Sequence, residues 1–384
     1  MKKLLIIHGG GPTPVLNASL FGAIKAAKRF NIKNILGARN GMQGAVDEDF
    51  INLGDISSEN LSNLLTTPGT AIGSSRYPMN ESEYLNMVKM IEKNGISHIL
   101  MNGGNGTMDT CGKLKAACDD YGLNIKIMGI PKTVDNDIAV TDHSPGYGSA
   151  ARYMAQSVQE LCADVKSLPI HVVVLEALGR NVGWVTAASS LAEDAGLGPD
   201  LIYLPELDFD EDKFLGDVTN LLTKKKGIVV VASEGLHKKD GSPIVEPIFK
   251  SGRATYFGDV SSHLANLVVK KLGYKARSEK PGLLGRASIQ MQSQVDRQEA
   301  EDVGRIACEA VLEGESGKMV AIRRKSNDPY EIEYYLMDVE KAMMHERKVP
   351  MEYINAQGNG LNENFKKWCR PLIGVDLPKM IAFN

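Results

Sequence analysis

The chain has 384 residues, 43% hydrophobic and 24% charged, with a formal net charge of -3, an ordinary composition for a soluble globular protein. That balance gives no electrostatic case for nucleic-acid binding, and no stretch approaches the length of an apolar membrane span. Five cysteines (Cys111, Cys118, Cys162, Cys308, Cys369) lie scattered without CxxC spacing, which argues for a reducing compartment and against a disulfide frame or zinc site.

The basic start is followed by only four apolar residues, too few for a signal peptide, so a cytoplasmic location is expected. Residues 4–7 read as a short buried strand. His8, Gly9, Gly10, Gly11 and Pro12 make a first glycine turn, and residues 17–29 an amphipathic helix. This order resembles a nucleotide-binding opening, but the GxGxxG spacing of a dinucleotide fold is absent. A second strand over 32–38 ends in the loop 39–44. Residues 66–76 (T-T-P-G-T-A-I-G-S-S-R) form a loop of small and hydroxyl residues closed by Arg76; such loops lie over phosphates or simply connect elements. Residues 81–93 are helical by period, with Tyr84, Leu85, Val88 and Ile91 on one face.

The central stretch begins as a buried parallel strand over 99–101. Asn102, Gly103, Gly104, Asn105, Gly106 and Thr107 follow. Glycines at these positions let the backbone bend sharply and approach a ligand. Thr107 is expected to cap the next helix, with Asp109 in its first turn. A glycine loop entering a helix N-terminus is a ready anion site. Residues 125–130 repeat the strand and run into Pro131, Lys132, Thr133, Asp135 and Asp137. A GGxG turn alone also serves as a plain strand-to-helix connection, and a lone DxD as a solvated or capping pair. Their pairing at consecutive strand ends, where open parallel sheets bind ligands, points to phosphoryl transfer to an alcohol.

Residues 142–146 form a turn cluster and the first expected domain boundary. Helical period marks 150–161, 184–193, 210–225, 256–272 and 295–312. Strands are expected at 171–175, 201–204, 228–231, 275–278 and 319–323. Residues 239–252 and 283–291 read as loops, and Trp368 as the anchor of a terminal helix. His143 and His263 read as core or surface histidines. Cys111 and Cys118 read as packing residues on one helix, as do Met343 and Met344 near the end. Strands alternating with helices imply an α/β chain. The expected architecture is two doubly wound three-layer domains with a cleft between them, plus a C-terminal extension. Domain one spans 1–142, completed by part of 259–312; domain two spans 143–258; the extension spans 313–384.

These motifs resemble the phosphofructokinase family, kinases that phosphorylate the 1-hydroxyl of fructose 6-phosphate. The matching pieces are H-G-G-G-P-T-P-V-L-N (8–17), G-T-A-I-G-S-S-R (69–76), G-G-N-G-T (103–107), P-K-T-V-D-N-D (131–137), E-A-L-G-R (176–180) and S-E-G (233–235). They stand in family order and span roughly the first 310 residues; P-K-T-V-D-N-D is the most specific. The resemblance implies that Asp135 is the general base and that Thr133 and Asp137 help hold the acceptor and the metal-bound phosphate. Arg180 would stabilise the transferring phosphoryl group. Gly11, Arg76, Tyr77, Gly104, Asn105, Gly106, Thr107 and Lys132 match the donor site. Leu178, Gly179 and Glu234 match sugar contacts, and His171, Lys280 and Arg286 fall at or near positions that hold the sugar's 6-phosphate. It also implies Mg2+, a phosphoryl donor (ATP or pyrophosphate), a sugar phosphate and a homo-oligomer whose subunits share acceptor sites.

The departures are specific. The family normally has aspartate where this chain has Asn105, a weaker ligand for a hard cation. Glycine at 106 goes with ATP in the family, whereas aspartate there fills the space of the nucleotide's α-phosphate and goes with pyrophosphate. Lys132 is common in pyrophosphate enzymes and also occurs with the glycine. His171 replaces an arginine, and S-I-Q-M (288–291) replaces the family's Q-R-G-G. ATP and fructose 6-phosphate are therefore the expected pair. The alternatives are pyrophosphate, another sugar or polyol phosphate, and a non-catalytic relative that binds sugar phosphate. An NAD or lipid kinase would share the glycine turn but leave P-K-T-V-D-N-D unexplained.

Overall fold

The computed structural model describes residues 2–168, 170–251, 254–343 and 345–383. Its strands in chain order are β1 (Lys3–His8), β2 (Asn34–Ala38), β3 (Phe50–Asn52), β4 (His98–Gly103), β5 (Lys126–Pro131), β6 (Val172–Ala177) and β7 (Leu201–Tyr203). The later ones are β8 (Ile228–Ser233), β9 (Pro247–Ser251), β10 (Ala254–Phe257), β11 (Ala276–Glu279), β12 (Lys318–Asn327) and β13 (Tyr330–Asp338). The chain divides into two units, Met1–Ser149 with Arg286–Arg347, and Ala150–Gly285 with Lys348–Asn384. Among the described residues no helix is long and apolar enough to cross a membrane.

Unit one is built on a seven-stranded sheet of order β13-β12-β5-β4-β1-β2-β3. β1 runs parallel to β2 and β4, and β4 parallel to β5. The apolar runs alternate between two faces, as the pleat dictates. Leu5, Ile7, Ile99, Met101 and Ile127 meet Val88 and Ile91 of the helix Glu81–Asn94 and Cys111 and Leu114 of Asn105–Asp120. Leu4, Ile6, Leu100 and Met128 meet Leu20 and Ile24 of Leu16–Arg29 and Val303 and Val311 of Gln294–Glu313. This makes three layers. The two helices of the second face nearly touch through backbone: a Cβ on Gly22 would stand 2.0 Å from the Glu301 carbonyl oxygen, and one on Gly304 2.1 Å from that of Ser19. Cys111 and Cys118 are core residues, and burial pushes their thiols up to about 12 and about 11.

Unit two holds a parallel sheet of order β11-β6-β8-β7. Val172, Val174, Ile228 and Val230 pack on one face against Phe214, Val218, Leu264 and Val268 of the helices Glu211–Leu222 and Val260–Leu272. Val173, Val229 and Val231 are buried on the other face.

Several expectations are corrected. The helix expected over 256–272 starts only at Val260, because the chain first completes the hairpin β9–β10 where loop and helix were read; Gly252 lies outside the described residues. The segment 184–193 is helical only to Ala188 and continues as a 3-10 turn. Residues 313–384 are not one extension. β12 pairs with β5 and so belongs to unit one, whereas Trp368 packs against Trp184 in unit two, the rings tilted at 47° with 4.8 Å between centroids. Met343 packs at Gly112, and Met344 lies outside the described residues.

The first boundary falls after Ser149 and not at 142 because the intervening turn is fastened to the helix Gln294–Glu313. Asp296 accepts from the N–H groups of Gly146 (2.7 Å) and Ser149 (2.9 Å). His143, only 1% exposed, lies between Asp142 (2.7 Å) and Glu299 (2.6 Å). Arg324 joins Asp142 at 3.0 Å. Burial works against the imidazolium, but the Glu299 and Asp142 carboxylates outweigh it and push the His143 pKa up to about 9. A raised native pKa gives stabilisation that is complete below the unfolded value of about 6.5 and is lost as pH climbs through the native one. Melting temperature is therefore expected to fall from about pH 6.5 toward alkaline pH. His143→Gln is expected to start lower and lose less; parallel curves for the two proteins would contradict this.

Candidate active site

The parallel register brings three turns to one edge of the larger sheet. His8 pairs with Asn102, and Gly103 with Pro131, so the chain leaves β1, β4 and β5 side by side. The turn after β1 is held by the loop after residue 66. Gly10 N–H donates to the Ser75 carbonyl (3.1 Å), and the Ser74 hydroxyl to the Gly10 carbonyl (2.8 Å). That loop is therefore part of the site, with exposed Arg76 at its end. Tyr77 packs against the apolar core of unit one.

The turn after β4 enters its helix at Asn105, with no side-chain cap at Gly104 and no acidic residue in the first turn. Thr107 does not cap and Asp109 lies further in, ion-paired to Lys113 at 2.7 Å. The Thr107 hydroxyl is used otherwise. A Cβ on Gly9 would lie 2.3 Å from its oxygen and one on Gly103 2.1 Å. Thr107 is thus a wedge that only glycine admits on either side. The N–H groups of the first helical turn have no intrahelical acceptor, which favours an anion there. No described atom comes within 4 Å of where a Cβ on Gly106 would stand.

The turn after β5 carries the polar groups. A Cβ on Gly104 would lie 3.5 Å from the Lys132 carbonyl oxygen and 3.8 Å from Thr133 Cβ, so the glycine turn and the acidic loop adjoin. Lys132, 2% exposed, sends its ammonium to the carbonyls of Gly9 (3.1 Å) and Gly11. Burial lowers its pKa to about 8, against the pull of Asp135 and Asp137 and with the push of Arg286 and Arg76. The half-buried Asp135 N–H donates to the Thr133 hydroxyl (3.1 Å). Asn136 takes a left-handed φ of 55° and its side-chain oxygen accepts from Ser144 N–H (3.0 Å). Arg347 N–H donates to the Asp137 carbonyl (2.9 Å). Asn105 Nδ2 donates to the same carbonyl (2.9 Å) and to Asp137 Oδ2 (3.0 Å). Burial raises the Asp137 pKa, opposed by hydrogen bonds from Thr133 and Asn105. Asn105 Oδ1 and Asp137 Oδ1 are buried without a hydrogen-bond partner. Among the described residues no group of three or more His, Cys, Asp or Glu side chains could hold a metal ion.

Two placements here go beyond what the sequence reading contained. His8 lies beneath the first turn, bonded to Thr70 at 2.7 Å, and burial lowers its pKa to about 3; nothing in the H-G-G-G run signals a neutral imidazole. Arg286, expected near the sugar's 6-phosphate, stands by Gly11.

Unit two carries a second group at the C-terminal ends of β6 and β8. Gly179, at φ 121°, follows Leu178, and its N–H donates to Glu234 Oε1 (3.1 Å). The Ser233 hydroxyl donates to the Gly179 carbonyl (2.6 Å). Arg180 is exposed, its guanidinium 5.2 Å from the Phe257 ring centroid. These four predicted residues come together. Of the other two, Lys280 follows β11 at this same end of the sheet, whereas His171 does not join the group. His171 precedes β6, at the opposite end of the strand, where it accepts from Lys275 N–H (3.1 Å) and meets the Tyr274 ring. Lys280 is held by Glu176 (3.0 Å) and Asp259; burial works against its ammonium, but these carboxylates raise its pKa.

The family model for phosphofructokinase matches residues 3–311. The chain is 36% identical over 394 aligned positions to a pyrophosphate–fructose 6-phosphate 1-phosphotransferase of Xanthomonas campestris, covering 98% of this chain and 92% of that protein. It is 32% identical to a sulfofructose kinase of Alkalicoccus urumqiensis, covering 98% and 96%. The solved pyrophosphate-dependent phosphofructokinase of Nitrosospira multiformis superposes with a TM-score of 0.89 at 33% identity, covering 100% of this chain and 94% of that one.

Lys132 has a testable consequence. Near its lowered pKa the side chain is partly neutral, and a polyphosphate beside it favours the ammonium. Binding of ATP or pyrophosphate at about pH 8.5 is expected to take up protons, read as a calorimetric heat that varies with buffer ionisation enthalpy. The Lys132→Met protein is expected to show a smaller uptake. Heats independent of buffer in the unaltered protein would exclude this role.

Proposed function

Since the chain belongs to the phosphofructokinase family and is a phosphotransferase with a sugar-phosphate alcohol acceptor, we propose that it moves a phosphoryl group from ATP to the 1-hydroxyl of fructose 6-phosphate. The open space beside Gly106 carries the choice of donor. An aspartate there would fill the room that the nucleotide's α-phosphate needs, and this chain leaves it clear. Donor phosphates rest on the N–H groups of the turn Gly104–Thr107, with Gly11, Arg76 and Lys132 beside them.

Asp135 takes the proton from the sugar hydroxyl as its oxygen attacks phosphorus. Its loop is held by Thr133, Asn136 and Ser144, so the carboxylate is positioned before the substrate arrives. The unpartnered oxygens of Asn105 and Asp137 fit a hard cation that takes oxygen ligands. Magnesium bound there would offset charge on the donor's phosphates. Arg180 stabilises the transferring group, and Leu178, Gly179 and Glu234 orient the sugar. His171, at the far end of β6, serves the acceptor site of a neighbouring copy in a homo-oligomer.

Pyrophosphate is the second reading for the donor. The names of the relatives with near-complete overlap favour it, as does buried Lys132. The sulfofructose kinase relative and the reduced set of arginines widen the acceptor question to other sugars bearing an anionic group.

A donor-by-acceptor panel decides: ATP, ADP and pyrophosphate against fructose 6-phosphate, sedoheptulose 7-phosphate and sulfofructose. ATP with fructose 6-phosphate is expected to give the highest kcat/KM; pyrophosphate exceeding ATP with every acceptor would overturn the donor choice. Gly106→Asp is expected to lower kcat/KM for ATP on the order of 100-fold through like-charge contact while sparing pyrophosphate. Asp135→Asn is expected to lower kcat by roughly 10²–10⁴-fold with the fold and ATP binding intact. Full turnover in that variant would remove Asp135 as the base.

A further inference from the structure

The acceptor-phosphate role implied for Arg286 rests on its alignment near a family histidine. Its surroundings are different. A Cβ on Gly11 would lie 3.0 Å from Arg286 Nη1 and 4.0 Å from Arg76 Nη2. Lys132 reaches the carbonyl of the same glycine. Three cationic side chains therefore converge on one backbone turn. The segment that carries Arg286 is anchored there as well: Gln292 Nε2 donates to the carbonyls of Pro14 (2.8 Å) and Leu65 (3.1 Å). Arg286 ends the 3-10 turn Gly282–Arg286 and is the first residue of the returning part of unit one.

From this geometry we infer that Arg286 binds the donor's phosphates, together with Arg76 beside Gly11, and not the phosphate of the sugar. This deepens the kinase reading and rests on it. Like charges gathered at one turn repel, and Asp135 and Asp137 are the acidic groups near Lys132. A polyphosphate brings several negative charges to such a turn. A guanidinium offers it a planar fork of parallel donors that an ammonium lacks. The loss of Q-R-G-G from this segment removes an arginine at the acceptor, while Arg286 adds one at the donor.

The test reads binding apart from turnover. MgATP and magnesium pyrophosphate are titrated calorimetrically into the unaltered protein, Arg286→Gln and Arg286→Lys, without sugar phosphate, after thermal melts confirm folding. Arg286→Gln is expected to raise the donor Kd about tenfold or more, and Arg286→Lys by less, because it keeps the charge and loses the fork. The KM for fructose 6-phosphate at saturating donor is expected to stay within about twofold. A donor Kd unchanged in Arg286→Gln overturns the inference, and a KM for fructose 6-phosphate that alone rises returns Arg286 to the acceptor. An unaltered protein that binds donor but phosphorylates no sugar phosphate would sink the kinase reading and still leave the Arg286 measurement decisive.

Discussion

The placement of one methyl-bearing hydroxyl governs the geometry of the candidate active site. Thr107 stands between the turn after β1 and the turn after β4, and a Cβ on Gly9 or Gly103 would overlap it. Any residue but glycine at either position must displace the Thr107 side chain or separate two strand ends that pair in register. Their separation would also take the Gly9 and Gly11 carbonyls away from Lys132. The glycines of the two turns are therefore one steric requirement and not two flexible loops. A loop that is tight by sterics is also stiff, and a stiff ring of N–H groups needs no reordering when an anion arrives.

The electrostatics follow from that tightness. Lys132 is buried where an ammonium is disfavoured, and only carbonyl oxygens and nearby carboxylates hold it there. Removing a charged group from water is favourable only with such partners. In the proposed donor site a phosphoryl donor would interact with Arg76, Arg286 and Lys132 together, and that interaction would grow as charge develops on the transferring group. Interactions that strengthen along the reaction coordinate are the ones that accelerate it.

The sequence made the buried parallel strands and the turns at their ends legible, because continuous apolar runs and glycine clusters have few other readings. P-K-T-V-D-N-D likewise announced an acidic loop, and the structure sets it against the glycine turn. What could not be read depends on partners distant in the chain. β13 (Y-E-I-E-Y-Y-L-M-D) reads as mixed polar sequence because it is an edge strand, and only its ladder with β12 makes it a strand. Asp296 and Glu299 lie in a segment legible only as a helix, yet they hold residues 142–149 to unit one. Alignment placed Arg286 near a motif but not beside Gly11, since the direction of a long side chain is settled by what lies beside it.

The same logic accounts for Asn105. An aspartate at that position would set a second carboxylate against Asp137, whose pKa burial already raises. Two buried carboxylates side by side share a proton unless a cation intervenes. Asparagine instead donates to Asp137 through Nδ2 and still keeps a buried, unpartnered oxygen. The exchange gives up ligand charge toward a metal and adds a hydrogen bond that favours the Asp137 carboxylate against the burial that raises its pKa. Asn105 and Lys132 then act in the same direction. On the proposed reading, each would move part of the task of balancing phosphate charge from a bound ion to the protein's own fixed groups.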